Sequence, residues 1–92
     1  MNLWHETIQN IIENKTIPRN KLKILPKLRT CSNWLKVKPL GFINYESPLM
    51  RWDGILVEYS DQLFYVENST YQNIAKELKW KIKDKISVVD NK

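Results

Sequence analysis

Trp4, Ile8, Ile11 and Ile12 recur at the three- and four-residue intervals of one helical face, while His5, Glu6, Gln9, Asn10 and Glu13 fall outside that stripe. The spacing predicts a helix over residues 2–14, with Asn2 as its N-cap and Asn14-Lys15 at its end. Residues 18–29 read two ways. Pro18 is suited to starting a helix, but Pro26 interrupts one, and Leu22 and Ile24 alternate with Lys21 and Lys23 as in a short extended piece. Residues 33–38 read as a strand that ends at Pro39, with a turn at Pro39-Leu40-Gly41. In that strand Trp34, Lys36 and Lys38 share one face, with Leu35 and Val37 on the other.

The clearest β signal follows. Phe42, Ile43 and Tyr45 suggest a short strand stopped by Pro48. In residues 52–59 Ile55, Val57 and Tyr59 then alternate with Leu56 and Glu58. Ser60-Asp61-Gln62 turns the chain into residues 63–68, giving a hairpin with a three-residue loop. Ser69-Thr70-Tyr71-Gln72 fits a capping box, after which Tyr71, Ile74, Ala75, Leu78, Ile82, Ile86 and Val89 lie on one helical stripe. A final strand is the rival for the last part, because Trp80, Ile82 and Ile86 also alternate with Lys81, Lys83 and Lys85. The unbroken stripe favours the helix. The expected fold is α+β in one domain: an N-terminal helix, a small antiparallel sheet of three to four strands, and a C-terminal helix, with helices on one face of the sheet.

Charge changes this picture more than composition does. The formal net charge is +5, and it is segregated. Residues 14–45 hold Lys15, Arg19, Lys21, Lys23, Lys27, Arg29, Lys36 and Lys38 and no acid, whereas residues 46–75 hold five acids against Arg51. Residues 76–92 return to basic with six lysines against three acids. A one-signed run attracts an anionic partner. With Trp34 and Tyr45 as stacking surfaces and Trp80 as a second large aromatic off the main stripe, the candidate contact residues are Arg19, Lys21, Lys23, Lys27, Arg29, Trp34, Lys36, Lys38, Tyr45 and Trp80.

The rest of the chemistry narrows the classes. His5 and Cys31 are single, too few N/S ligands for a zinc site, and the one cysteine makes a reducing, cytoplasmic compartment the expectation. Glu77-Leu78-Lys79 matches an acid-x-Lys pattern of metal nucleases but falls on an expected helix instead of a strand. Gly41 and Gly54 are the only glycines, the first read as a turn and the second as a bulge or a tight strand entry, and no phosphate-cradling loop or nucleophile elbow is present. No apolar run is long enough to span a membrane. The leading expectation is a non-catalytic module binding nucleic acid, RNA before DNA, or a ribonucleoprotein-like assembly. An acidic protein surface is the other anionic partner expected for the same basic run. The alternatives are a protein-binding inhibitor or regulator of phage or plasmid type, anchored by Trp34, Trp80 and Tyr45 with little salt dependence, and a small metal-free ribonuclease toxin. The order of elements and the basic balance are similar, in topology alone, to ribosome-dependent toxin ribonucleases of the RelE type. That likeness implies RNA cleavage on Lys, Arg and Tyr side chains.

Overall fold

A computed structural model describes residues 4–90, so the expected cap at Asn2 lies outside the described residues. The elements run α1 (His5–Asn14), β1 (Thr16–Pro18), α2 (Arg19–Leu22), a 3-10 turn (Trp34–Lys36), β2 (Lys38–Ser47), β3 (Met50–Tyr59), β4 (Gln62–Glu67), α3 (Asn68–Leu78) and β5 (Lys85–Val89). The strands form one sheet in the order β1-β5-β2-β3-β4. β2, β3 and β4 are antiparallel neighbours, while β5 pairs in parallel with both β1 and β2. The α+β class stands. The small antiparallel sheet is corrected to a mixed five-stranded one, and the last element is a strand.

The C-terminal helix ends early for a definable reason. Lys79 adopts the left-handed conformation (φ 52°, ψ 40°) and its N–H bonds the Ala75 carbonyl at 3.0 Å, which closes α3. Ile82 and Ile86 are four residues apart, an interval that fits both a 3.6-residue helix and a two-residue strand, so the stripe could not tell them apart. As a strand, β5 fills the slot between β1 and β2 and buries Ile86. It thereby ties the N-terminal unit to the hairpins. Nor does a capping box start α3. Glu67 is its N-cap residue, without a side-chain cap bond.

Three further expectations change. Residues 34–36 wind into a 3-10 turn, with Lys36 N–H bonding Asn33 at 3.1 Å and Val37 N–H bonding Trp34 at 3.1 Å, so Trp34, Lys36 and Lys38 share no strand face. Pro39-Leu40-Gly41 lies inside β2, where the register to β3 shifts between Pro39 and Gly41. A bulge tolerates a proline that has no N–H to give. Between β3 and β4 the loop is two residues, Ser60 and Asp61, both at positive φ (52° and 61°), as a type I′ turn requires. In residues 18–29 the alternation at Lys21–Ile24 does not form an extended piece, since those residues are helix and turn, and the extended stretch comes later. α2 is one helical turn, and residues 26–28 lie along the outer edge of β4, where Tyr65 N–H bonds Pro26 and Leu28 N–H bonds Tyr65, each at 2.9 Å.

The helices cover both faces of the sheet, not one. On the first face Trp4, Ile8 and Ile11 of the N-terminal segment and Leu22 and Leu25 pack against Ile43, Trp52, Leu56, Leu63, Tyr65 and Ile86. On the second, Ile55, Val57 and Val66 are covered by Tyr71 of α3, by Leu28, Cys31, Trp34 and Val37 of the long connection, and by Trp80 and Ile82. β3 is therefore buried on both sides, which is why Ile55, Leu56 and Val57 form a continuous apolar run with no exposed surface.

Candidate functional site

Folding disperses the acid-free run. Arg19, on α2, faces Asp90 at 3.7 Å. Lys21 places its ammonium 5.7 Å from the centre of the Trp4 ring, and Lys23 is exposed just after α2. These three lie with α2 on the side of the first core. Lys27 pairs with Glu67 at 2.9 Å on the β4 edge, with exposed Arg29 nearby. Lys38 is the register partner of Glu58, and with Lys36, Asp61 and Tyr59 it lines a shallow depression of about 270 Å³. Tyr45 packs half-buried against the first core, across the sheet from Trp34. The acids that the sequence places in its middle segment thus return to the basic run through the β3–β4 hairpin.

Trp34 and Trp80 are the two candidates that the fold does bring together. Their ring centres are 6.4 Å apart at 67°, Trp80 stacks on Tyr71 at 6.2 Å and 16°, and Tyr71 meets Phe42 edge-on at 6.2 Å and 83°. Both tryptophans are half-buried, so they are joints between segments before they are free anchors. What they join is the basic connection ending at Lys38 and the segment leading from α3 to β5. In that segment Trp80 and Ile82 turn inward while Lys79, Lys81 and Lys83 are exposed, and Lys85 opens β5. Among the described residues none of these lysines has an acid within salt-bridge distance, and neighbouring Asp84 faces Lys15 at 3.3 Å. The sequence reading omitted Lys79, Lys81, Lys83 and Lys85 from its candidates, although the alternation of residues 79–85 carried the signal.

A cleft of about 410 Å³ lies where β4 passes into α3 and is lined by Lys27, Arg51, Asp53, Tyr65, Glu67, Asn68 and Ser69. It gathers a lysine, an arginine and a tyrosine, but the tyrosine is committed. Its hydroxyl donates to the Asp53 carbonyl and accepts from the Asp53 N–H, both at 2.8 Å. Burial raises its pKa, the Asp53 backbone bond partly offsets this, and the charges of Glu67 and Asp53 push it up further. A phenol raised above 10 and clamped to backbone holds two strand segments together and is no base near neutral pH.

Glu67 is shifted the other way. The hydrogen bond and charge of Lys27 lower its pKa, with a smaller contribution from Arg29. Because the folded pKa is depressed, the pair stabilises above the unfolded value, roughly pH 4.3, and is lost as pH falls through the folded value. Both side chains are about 40% exposed, which limits the effect. Lys27→Ala should lower unfolding free energy by roughly 0.5 kcal/mol at pH 7. In urea titrations the two proteins should converge below about pH 4. A deficit that persists undiminished at pH 3 would place the role of Lys27 in packing.

No family model matches the chain, and neither a curated protein nor a solved structure matches it.

Proposed function

We propose that the chain is a non-catalytic nucleic-acid-binding domain, with RNA as its partner in preference to duplex DNA. The observation that carries this reading is the Trp34–Trp80 contact, through which two basic runs far apart in sequence meet on the second face of the sheet. Lys36, Lys79, Lys81 and Lys83 all project from this region as exposed cations. The preference for RNA rests on where the cations sit. Reading a duplex major groove takes a helix or a two-stranded ribbon with donors aimed into it. α1 has acids and no cation, α2 is a single turn, and α3 has Lys76 beside Glu77. The exposed cations without a salt bridge among the described residues stand instead on irregular and extended segments, which suits a flexible backbone whose bases are splayed.

Fluorescence anisotropy with a labelled 12-nucleotide RNA at 50 and 200 mM salt tests the reading. Four or five phosphate contacts on a single strand predict roughly a 50- to 130-fold loss of affinity between the two salts. Absence of binding at 50 mM would end the proposal. A second reading, a protein-directed regulator, draws on Leu35, which is 83% exposed at the tip of the 3-10 turn beside Trp34. Capture of a protein partner that is indifferent to both salt and nuclease would favour it.

A further inference from the structure

The second face of the sheet is only half covered. α3, the 28–37 connection and Trp80 lie over β3 and β4, whereas the β5–β2 half carries Phe42, Asn44, Lys85, Ser87 and Val89 as exposed residues. Phe42 stands at the boundary, 38% exposed, with one edge against Tyr71. Its register partner on β5 is Lys85, so an aromatic and a cationic side chain rise from neighbouring positions on adjacent strands. From Lys85 the exposed lysines 83, 81 and 79 continue back toward the Trp34–Trp80 contact.

We propose that this open half-sheet is a platform for single-stranded RNA, with one base stacked on Phe42 and the strand's phosphates following the rim from Lys85 toward Lys79. The inference rests on the nucleic-acid reading above and adds to it the form of the ligand and the residue that grips a base. Charge complementarity supports the occupant. The rim is cationic, and its one acid, Asp84, is engaged by Lys15. The acids bordering the platform on β2 and β3 are Glu46, beside Arg51 in register, and Asp53, beside Asn44 in register. A duplex keeps its base faces stacked inside and offers backbone and groove edges to this surface, so a stacking Phe42 discriminates between the two forms. Asn44 and Ser87, exposed on the same half, add donors and acceptors for the edge of an unpaired base.

The test compares a labelled 12-nucleotide oligouridine with a 12-base-pair RNA duplex of two separate strands, each titrated with wild type, Phe42→Leu and Phe42→Tyr. Leucine keeps an apolar contact to Tyr71 without a ring face, and thermal melts of both variants report whether the fold is retained. Phe42→Leu should weaken single-strand binding roughly 5- to 150-fold, the worth of stacking one base on an aromatic ring. It should leave duplex binding unchanged, and Phe42→Tyr should retain wild-type affinity for the single strand. Unchanged single-strand affinity in a folded Phe42→Leu variant would overturn the platform and leave a phosphate-binding rim. If wild type binds neither RNA, the broader reading fails and takes the platform with it.

Discussion

Gly54→Ala should abolish the fold, or lower its stability by more than about 3 kcal/mol, although it adds a single methyl group. Gly54 lies mid-strand in β3, paired to Ile43 on one side and Glu67 on the other. A Cβ there would overlap the Val66 carbonyl oxygen and come within 3.0 Å of the Tyr65 ring and 3.1 Å of the Asn68 N–H nitrogen. Two of these neighbours are backbone, at the junction where β4 becomes α3, and the third is the ring whose hydroxyl is bonded to Asp53. None is a flexible side-chain tip that can swing away. For a domain whose total stability is on the order of 5–15 kcal/mol, such a clash removes a large share of it. Gly41→Ala is the internal comparison. Its Cβ would meet Asp84 O at 3.0 Å and two Ile86 side-chain carbons at 3.0 and 3.1 Å, contacts that a small shift of β5 relieves. Urea denaturation followed by circular dichroism should rank Gly54→Ala as far the worse. A Gly54→Ala protein within 1 kcal/mol of wild type would show that the close approach of β3 and β4 is not required.

Gly54 also marks where sequence reasoning reached its limit. A glycine in the strongest β run was read as a bulge or a tight strand entry, because a pattern of residue types shows that a Cβ is missing but not which backbone arrives to use the space. Periodicity succeeded where one period alone fitted. The alternation in residues 52–59 assigned Ile55, Val57 and Tyr59 to one face and Leu56 to the other, and the two cores divide them that way. It failed at Ile82 and Ile86, whose interval fits helix and strand alike, and at Trp34, where packing on Trp80 holds a 3-10 turn in a stretch with strand-like alternation.

The candidate site was legible in part for a related reason. Linear charge says which cations are close in sequence, and folding decides which acids come back to them. Arg19 and Lys27 meet Asp90 and Glu67, and Lys38 stands in register with Glu58, all from distant segments. Lys15 meets Asp84 in the same way. The cations that keep their field are those whose alternate neighbours point into the core. Inward Trp80 and Ile82 set outward Lys79, Lys81 and Lys83, and that relation is written in the sequence once residues 79–85 are read as extended.

Replacing Lys79, Lys81 and Lys83 together by Gln should leave the fold intact and remove most of the salt-dependent affinity for RNA. All three side chains are exposed, and none has an acid within salt-bridge distance among the described residues, so folding has little to lose. Each phosphate contact on a single strand adds about 0.7 to the slope of log affinity against log salt. Losing three should therefore flatten that slope by about 2 and weaken binding at least roughly tenfold at 50 mM salt. Glutamine isolates the charge, since it keeps much of the stem and a polar head. The matched control is Lys21→Gln with Lys23→Gln, which removes two cations from the acid-free run on the other side of the sheet, where Lys21 lies over Trp4. If net charge alone drives association, the control should flatten the slope in proportion to its two charges. If the rim is the contact surface, the control should leave the slope within error of wild type while the triple variant collapses it. Equal effects per charge in the two variants would mean that no located surface exists, and that the +5 charge acts as a diffuse attraction spread over the whole molecule.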